Sequence, residues 1–201
     1  LFSVRGKALY PKLGFLFKMA EEILGTSKVE DTKRLYEIIA AVKSRAQASL
    51  TGAGHSTAVL RATSYSSPMA AFQDEMAGIG YYQFIEKLEK DFDQQKDLIV
   101  QELRKLMKMI LRPENFMISY TGERESLEEV KKLAAHIRQG LNTESVEKSE
   151  KKLICTRKNE GFKTSGQVQF VAQTGNFKKK GLEYTGALDI LKVILSYDYL
   201  W

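Results

Sequence analysis

Apolar residues recur at helical spacing through most of this chain, and that period decides what it can fold into. Leu35, Ile38, Ile39, Val42, Ala46 and Leu50 follow the i, i+3, i+4, i+7 rule, while Lys33, Arg34, Glu37, Lys43 and Arg45 fall on the opposite side. Such a stripe buries one face and solvates the other. Ser27-x-x-Glu30 just ahead of it has the spacing of a capping box, in which each side chain satisfies an exposed backbone donor, so a helix is predicted to start there. The same period runs through Leu13, Leu16, Phe17, Ala20, Ile23 and Leu24 behind Pro11, whose fixed φ suits a first helical turn. It returns in Ile99, Leu103, Leu106 and Ile110, in Leu127, Val130, Leu133, Ala134 and Ile137, and in Ala187, Leu188, Leu191, Ile194 and Leu195. Breaks are expected at Gly52 and Gly54, at the Gly78-Ile79-Gly80 step and at Pro113, and Ser67-Pro68 predicts a capped helix running to about Ala77.

Three segments carry a different period. Phe2, Val4, Ala8 and Tyr10 alternate with Ser3, Arg5 and Lys7; Phe116, Ile118 and Tyr120 alternate with Ser119 and Thr121; Val168, Phe170 and Ala172 alternate with glutamines. A period of two predicts half-buried strands. Asn142 to Lys152, rich in Glu, Lys and Ser without an apolar period, reads as a solvated linker. The chain is therefore divided into a domain over residues 1–143 and, over 144–201, the linker and the start of a following domain. The missing initiator Met and the apolar closing residues suggest a piece of a longer polypeptide.

Several function classes are poorly served by these residues. Cys155 is the single cysteine, so neither an intramolecular disulfide nor a thiolate cluster is available. The apolar runs are too short to span a bilayer, and Leu1 to Arg5 has no signal-peptide order. The net charge of +6 is spread among 25 acidic residues rather than gathered in a basic stripe, with Lys178-Lys179-Lys180 as its densest run, so a nucleic-acid-binding module is the weaker alternative and no such partner is expected. No Gly-rich loop stands in a strand-to-helix context that would cradle phosphate. His55 and His136 are the two histidines, and neither has a second ligand a helical turn away, so no metal or cofactor site is expected in this chain.

The segment Leu50-Thr-Gly-Ala-Gly-His55-Ser-Thr-Ala-Val-Leu-Arg61-Ala-Thr-Ser-Tyr-Ser-Ser-Pro68, followed by Glu75-Met-Ala-Gly78-Ile-Gly-Tyr81-Tyr82-Gln-Phe84-Ile, resembles the C-terminal half of the presequence-protease branch of the pitrilysin/insulinase zinc metallopeptidases. Lys7 to Leu13, Asp31 to Leu35, Glu183 to Leu188 and Tyr197 to Trp201 are similar to that family in the same order. The resemblance implies an α+β fold, helix-rich, with a mainly antiparallel sheet and helices packed on one face. It implies zinc in the N-terminal half of the parent protein, bound by an inverted His-x-x-Glu-His motif that this chain lacks, and an arginine and tyrosine beyond Trp201 that bind substrate. The chain is then a non-catalytic fragment of a zinc endopeptidase that degrades unstructured peptides, part of the chamber wall and inactive alone. Its partners are the N-terminal half of the same polypeptide and peptide substrates, its compartment a bacterial-type cytoplasm or an organelle matrix, and an open sheet edge favours self-association of the fragment. The competing reading is a family member without zinc ligands that serves as a structural or interaction subunit. His55 and Arg61 are the candidate site residues, either lining the chamber or filling structural roles, His55 beside Gly54 and Arg61 with a neighbouring acid.

Overall fold

The computed structural model describes residues 2–146, 152–164 and 167–199. Among them are eight α-helices: α1 (Leu13–Thr26), α2 (Thr32–Gly52), α3 (Gly54–Ser64), α4 (Pro68–Ala77), α5 (Ile79–Lys90), α6 (Phe92–Ile110), α7 (Leu127–Gln139) and α8 (Ala187–Ile194). The breaks follow local chemistry. Pro11 opens a short 3-10 turn, Tyr10–Lys12, that leads into α1. Ser67 sits extended ahead of Pro68 and its hydroxyl accepts the Ala70 N–H at 3.4 Å, which caps α4. Beyond α6, the Asn115 side-chain amide donates to the carbonyls of Met109 and Ile110, both at 3.2 Å, and so satisfies acceptors that the helix end leaves open.

The start of α2 departs from expectation. It begins at Thr32, with Asp31 Oδ1 accepting the Arg34 N–H at 3.0 Å. Ser27 is spent elsewhere, its hydroxyl donating to the Ile23 carbonyl at 2.6 Å, and Glu30 receives Arg104 of α6 at 2.6 Å. The capping-box spacing is present, but the tail of α1 takes its serine and a distant arginine takes its glutamate.

By contacts the chain forms two compact units, one of residues 1–40 and 88–150, the other of 41–87 and 151–201. In the first, Leu13, Ile39, Phe92, Val100, Val130 and Ile137 are buried, α1 packs on α7, and the rings of Tyr36 and Phe92 meet at 5.3 Å and 58°. In the second, Ala70, Ile79 and Ile85 are buried between helices, α3 packs against α4, and two polar side chains, Ser64 and Asp74, are buried with them.

The expected α+β fold with a mainly antiparallel sheet is not what the chain forms. Among the described residues there is no strand and no sheet, and the architecture is helical. The three segments with a period of two have no regular secondary structure apart from the helical start at Tyr10, and none of their supposed inner faces is buried: Phe2 is 57% exposed, Ile118 39% and Val168 67%, while Phe116, Tyr120 and Ala172 are half-buried. The period is a property of one segment, whereas a strand exists only when a neighbouring backbone supplies the donors and acceptors of a ladder about 4.8 Å away. No described backbone does so for these segments. Helices close their hydrogen bonds within themselves, which is why they form here and the strands do not.

Candidate functional site

A dense polar network stands at the α3–α4–α5 corner of the second unit. Arg61, on α3, points its guanidinium at Asp74 of α4 and at the segment that carries Glu160. Its Nη1 donates to Asp74 Oδ2 at 2.6 Å, and its Nε and Nη2 each lie 2.9 Å from Glu160 Oε2. Nε also donates to the Tyr65 hydroxyl at 3.2 Å, and that hydroxyl donates in turn to Glu160 Oε2. Arg61 and Tyr65 are four residues apart, which places both side chains on one helix face. The rings of Tyr65 and Phe162 flank the guanidinium with their centroids 5.6 Å from Cζ, a cation–π arrangement on each.

Asp74 anchors the arrangement. At 3% exposure it is among the most buried residues described, and its carboxylate has other partners besides Arg61. Oδ1 accepts the Ile79 N–H at 3.0 Å and Oδ2 the Gly80 N–H at 3.2 Å, while its carbonyl accepts the Gly78 N–H at 2.9 Å. The carboxylate thus satisfies free donors at the N-terminus of α5 and lies at the positive end of its dipole. Gly78 makes this approach possible, since a Cβ there would stand 2.3 Å from Asp74 Oδ1 and 2.9 Å from Asp74 Cα.

The electrostatics follow from these contacts. Burial works against the charge on Arg61, but its bonds to Glu160 and Asp74 outweigh that and hold its pKa above the ordinary value, so it is permanently cationic. The Arg61 guanidinium holds the Glu160 carboxyl below the usual range, with the Tyr65 hydroxyl adding to the effect. Burial, and then the hydrogen bond to Glu160, push the Tyr65 phenol up. A carboxylate with a depressed folded-state pKa stabilises the fold above its unfolded value, and that contribution fades as pH falls through the folded value. We therefore expect stability in urea to decline as pH drops below the ordinary glutamate value of 4.5, and the Glu160→Gln chain to show a smaller decline over the same window. Identical slopes in the two chains would contradict the assignment.

Of the two candidates from the sequence, Arg61 stands at the centre of this cluster and His55 lies outside it. His55 is exposed on the first turn of α3, its ring 6.3 Å from that of Phe170. Sequence reasoning missed Asp74, Tyr65 and Glu160. Asp74 had a local signal, a carboxylate four and six residues ahead of the two glycines of a helix break. Glu160 had none, being 99 residues from its partner.

The family resemblance places its zinc outside this chain, in the N-terminal half of the parent protein. His55 faces Phe170 in one unit, His136 in the other has its Nε2 3.4 Å from Glu21 Oε1, and among the described residues no three His, Cys, Asp or Glu side chains are grouped to hold a metal. No helix among the described residues is long and apolar enough to cross a membrane.

The corner is a helical packing site whose central arginine is shared between two acids, and the class of protein comes from comparison with known proteins. Residues 1–88 match the family described as associated with peptidases of family M16, subfamily C. Protein HypA of Clostridium perfringens is 34% identical over 195 residues, covering 97% of this chain and 20% of that protein. Presequence protease 1, chloroplastic/mitochondrial, of Arabidopsis thaliana is 24% identical over 203 residues, covering 98% of this chain and 18% of its own length. The mitochondrial presequence protease of Yarrowia lipolytica is 28% identical over 120 residues, 59% of this chain and 12% of that protein. The match over residues 1–88 and the named relatives together support a pitrilysin-family, presequence-protease-like chain, as its resemblance to the pitrilysin peptidases implied. It spans about a fifth of the length of the curated relatives it matches.

Proposed function

We propose that this chain is a non-catalytic segment of a zinc-dependent endopeptidase that degrades unstructured peptides, and that it forms part of the wall of the peptide chamber in the substrate-binding half. The observation that carries the reading is the match of nearly the whole chain to stretches of relatives about five times as long, with presequence proteases among the relatives matched. Arg61, shared between Asp74 and Glu160, supports it, because a guanidinium so engaged serves to hold α3, α4 and α5 together. On this reading the partner is the remaining, zinc-carrying part of the same polypeptide, and the compartment is a bacterial-type cytoplasm, in keeping with the clostridial relative.

Hydrolysis of an unstructured peptide by the full-length polypeptide, with and without a chelator, tests the proposal. Chelator-sensitive turnover by the full-length protein and none by residues 1–201 alone is the expected result. Stoichiometric zinc in the isolated segment would overturn the non-catalytic reading. A full-length protein that binds no zinc and cleaves nothing would replace it with a structural or interaction subunit.

A further inference from the structure

The corner of α3 holds two carboxylates that differ in how firmly they belong there. Asp74 is fixed by the backbone it caps: its oxygens are engaged by Ile79 and Gly80 as well as by Arg61, and it is buried. Glu160 lies on a segment, residues 152–164, that has no regular secondary structure, and its side chain keeps 26% exposure. Three donors converge on one of its oxygens, Oε2: Nε and Nη2 of Arg61 and the hydroxyl of Tyr65. Its other oxygen lies 3.8 Å from Lys158 Nζ, a residue of the same segment. Arg61 has a contact independent of Glu160 in its bond to Asp74, and the Tyr65 hydroxyl accepts from Arg61 Nε, while Phe162 of the Glu160 segment also flanks the guanidinium. A set of donors fixed independently of its occupant loses little order when the occupant leaves, and that is the condition for a preorganised binding site.

We propose that Arg61 and Tyr65 form a carboxylate-binding clamp, filled in this structure by the chain's own Glu160, that takes the carboxylate of a peptide when Glu160 withdraws. Nε and Nη2 of the guanidinium and the phenolic O–H converge on one carboxylate oxygen, and charge-assisted bonds of this kind are roughly twice as strong as neutral ones. Glu160 competes as a tethered ligand, so an outside carboxylate gains access chiefly when that tether is loosened or cut. The inference rests on the geometry of the second unit and not on the peptidase reading above, and it fails or stands separately from it.

The test uses the full-length polypeptide carrying Glu160→Ala, a change in a segment without regular structure that leaves Asp74 and the α5 cap in place. Propionate is the probe, with propionamide and chloride at matched concentration as controls, and the readout is amide hydrogen exchange over residues 54–80. A ligand that binds only the closed form slows local opening in proportion to 1 + [L]/Kd, so propionate at ten times its Kd slows exchange there about tenfold. The unsubstituted protein shows little slowing, because Glu160 already fills the clamp, and the Tyr65→Phe, Glu160→Ala double variant is slowed less than Glu160→Ala. Propionate acting no better than propionamide on Glu160→Ala, or equally on the unsubstituted protein, would overturn the clamp. Two tetrapeptides then distinguish the sources of the carboxylate, one acid-free with a free C-terminus and one amidated with a single glutamate. Slowing by either supports a peptide ligand and shows which carboxylate is taken, and slowing by neither overturns the peptide assignment.

Discussion

Replacing Asp74 by alanine should destabilise the second unit by about 3 kcal/mol, the range found when one partner of a buried ion pair is removed. Two losses combine. The Arg61 guanidinium keeps Glu160 but loses its shorter contact, the 2.6 Å bond to Oδ2, and the Ile79 and Gly80 N–H groups lose the acceptor that caps α5. Asp74→Asn separates the two, because its amide oxygen still accepts a backbone N–H while the charge is gone. We expect Asp74→Asn to fall between the unsubstituted chain and Asp74→Ala in urea denaturation. Faster hydrogen exchange at Ile79 and Gly80 should appear in the alanine variant first. Equal stability of all three chains would remove Asp74 from the centre of the corner.

Most of what was legible in the sequence is what a segment can decide for itself. Ser67-Pro68 announces α4 because the serine oxygen and the proline ring act within one turn of each other, and the structure starts α4 there. The breaks at Gly52 to Gly54 and at Gly78, and the end of α6 ahead of Pro113, are local in the same sense. The capping box at Ser27 shows the limit of local reasoning: its two residues satisfy the motif, yet each has a competing partner, Ile23 one turn back and Arg104 on another helix. The strands mark a second limit. Alternation along residues 116–121 or 168–173 states that a segment is suited to a sheet and says nothing about whether a neighbour arrives to complete it. The cluster lies further out still. Arg61 could be singled out with a neighbouring acid in mind, and Asp74 is 13 residues away, but the clamp on Glu160 closes across a separation of 99 residues that no periodicity encodes.

Gly78→Ala should cost nearly as much as the loss of Asp74, about 2–3 kcal/mol, for a steric reason rather than an electrostatic one. The added methyl group would stand 2.3 Å from Asp74 Oδ1 and 2.9 Å from its Cα, and the second distance matters more because backbone cannot rotate out of the way. Gly80→Ala is milder. There the nearest atom is Asp74 Oδ2 at 2.8 Å, followed by the Asp74 carbonyl oxygen at 3.3 Å, so a small adjustment relieves most of the contact. The order of stability in urea should therefore be unsubstituted, Gly80→Ala, then Gly78→Ala. A double-mutant cycle sharpens the point, since the Oδ1 collision disappears when Asp74 is already alanine. In that background Gly78→Ala should cost less than in the unsubstituted chain while retaining the part due to Asp74 Cα. Strict additivity of the two substitutions would show that Gly78 is needed for something other than the approach of the Asp74 carboxylate to the start of α5.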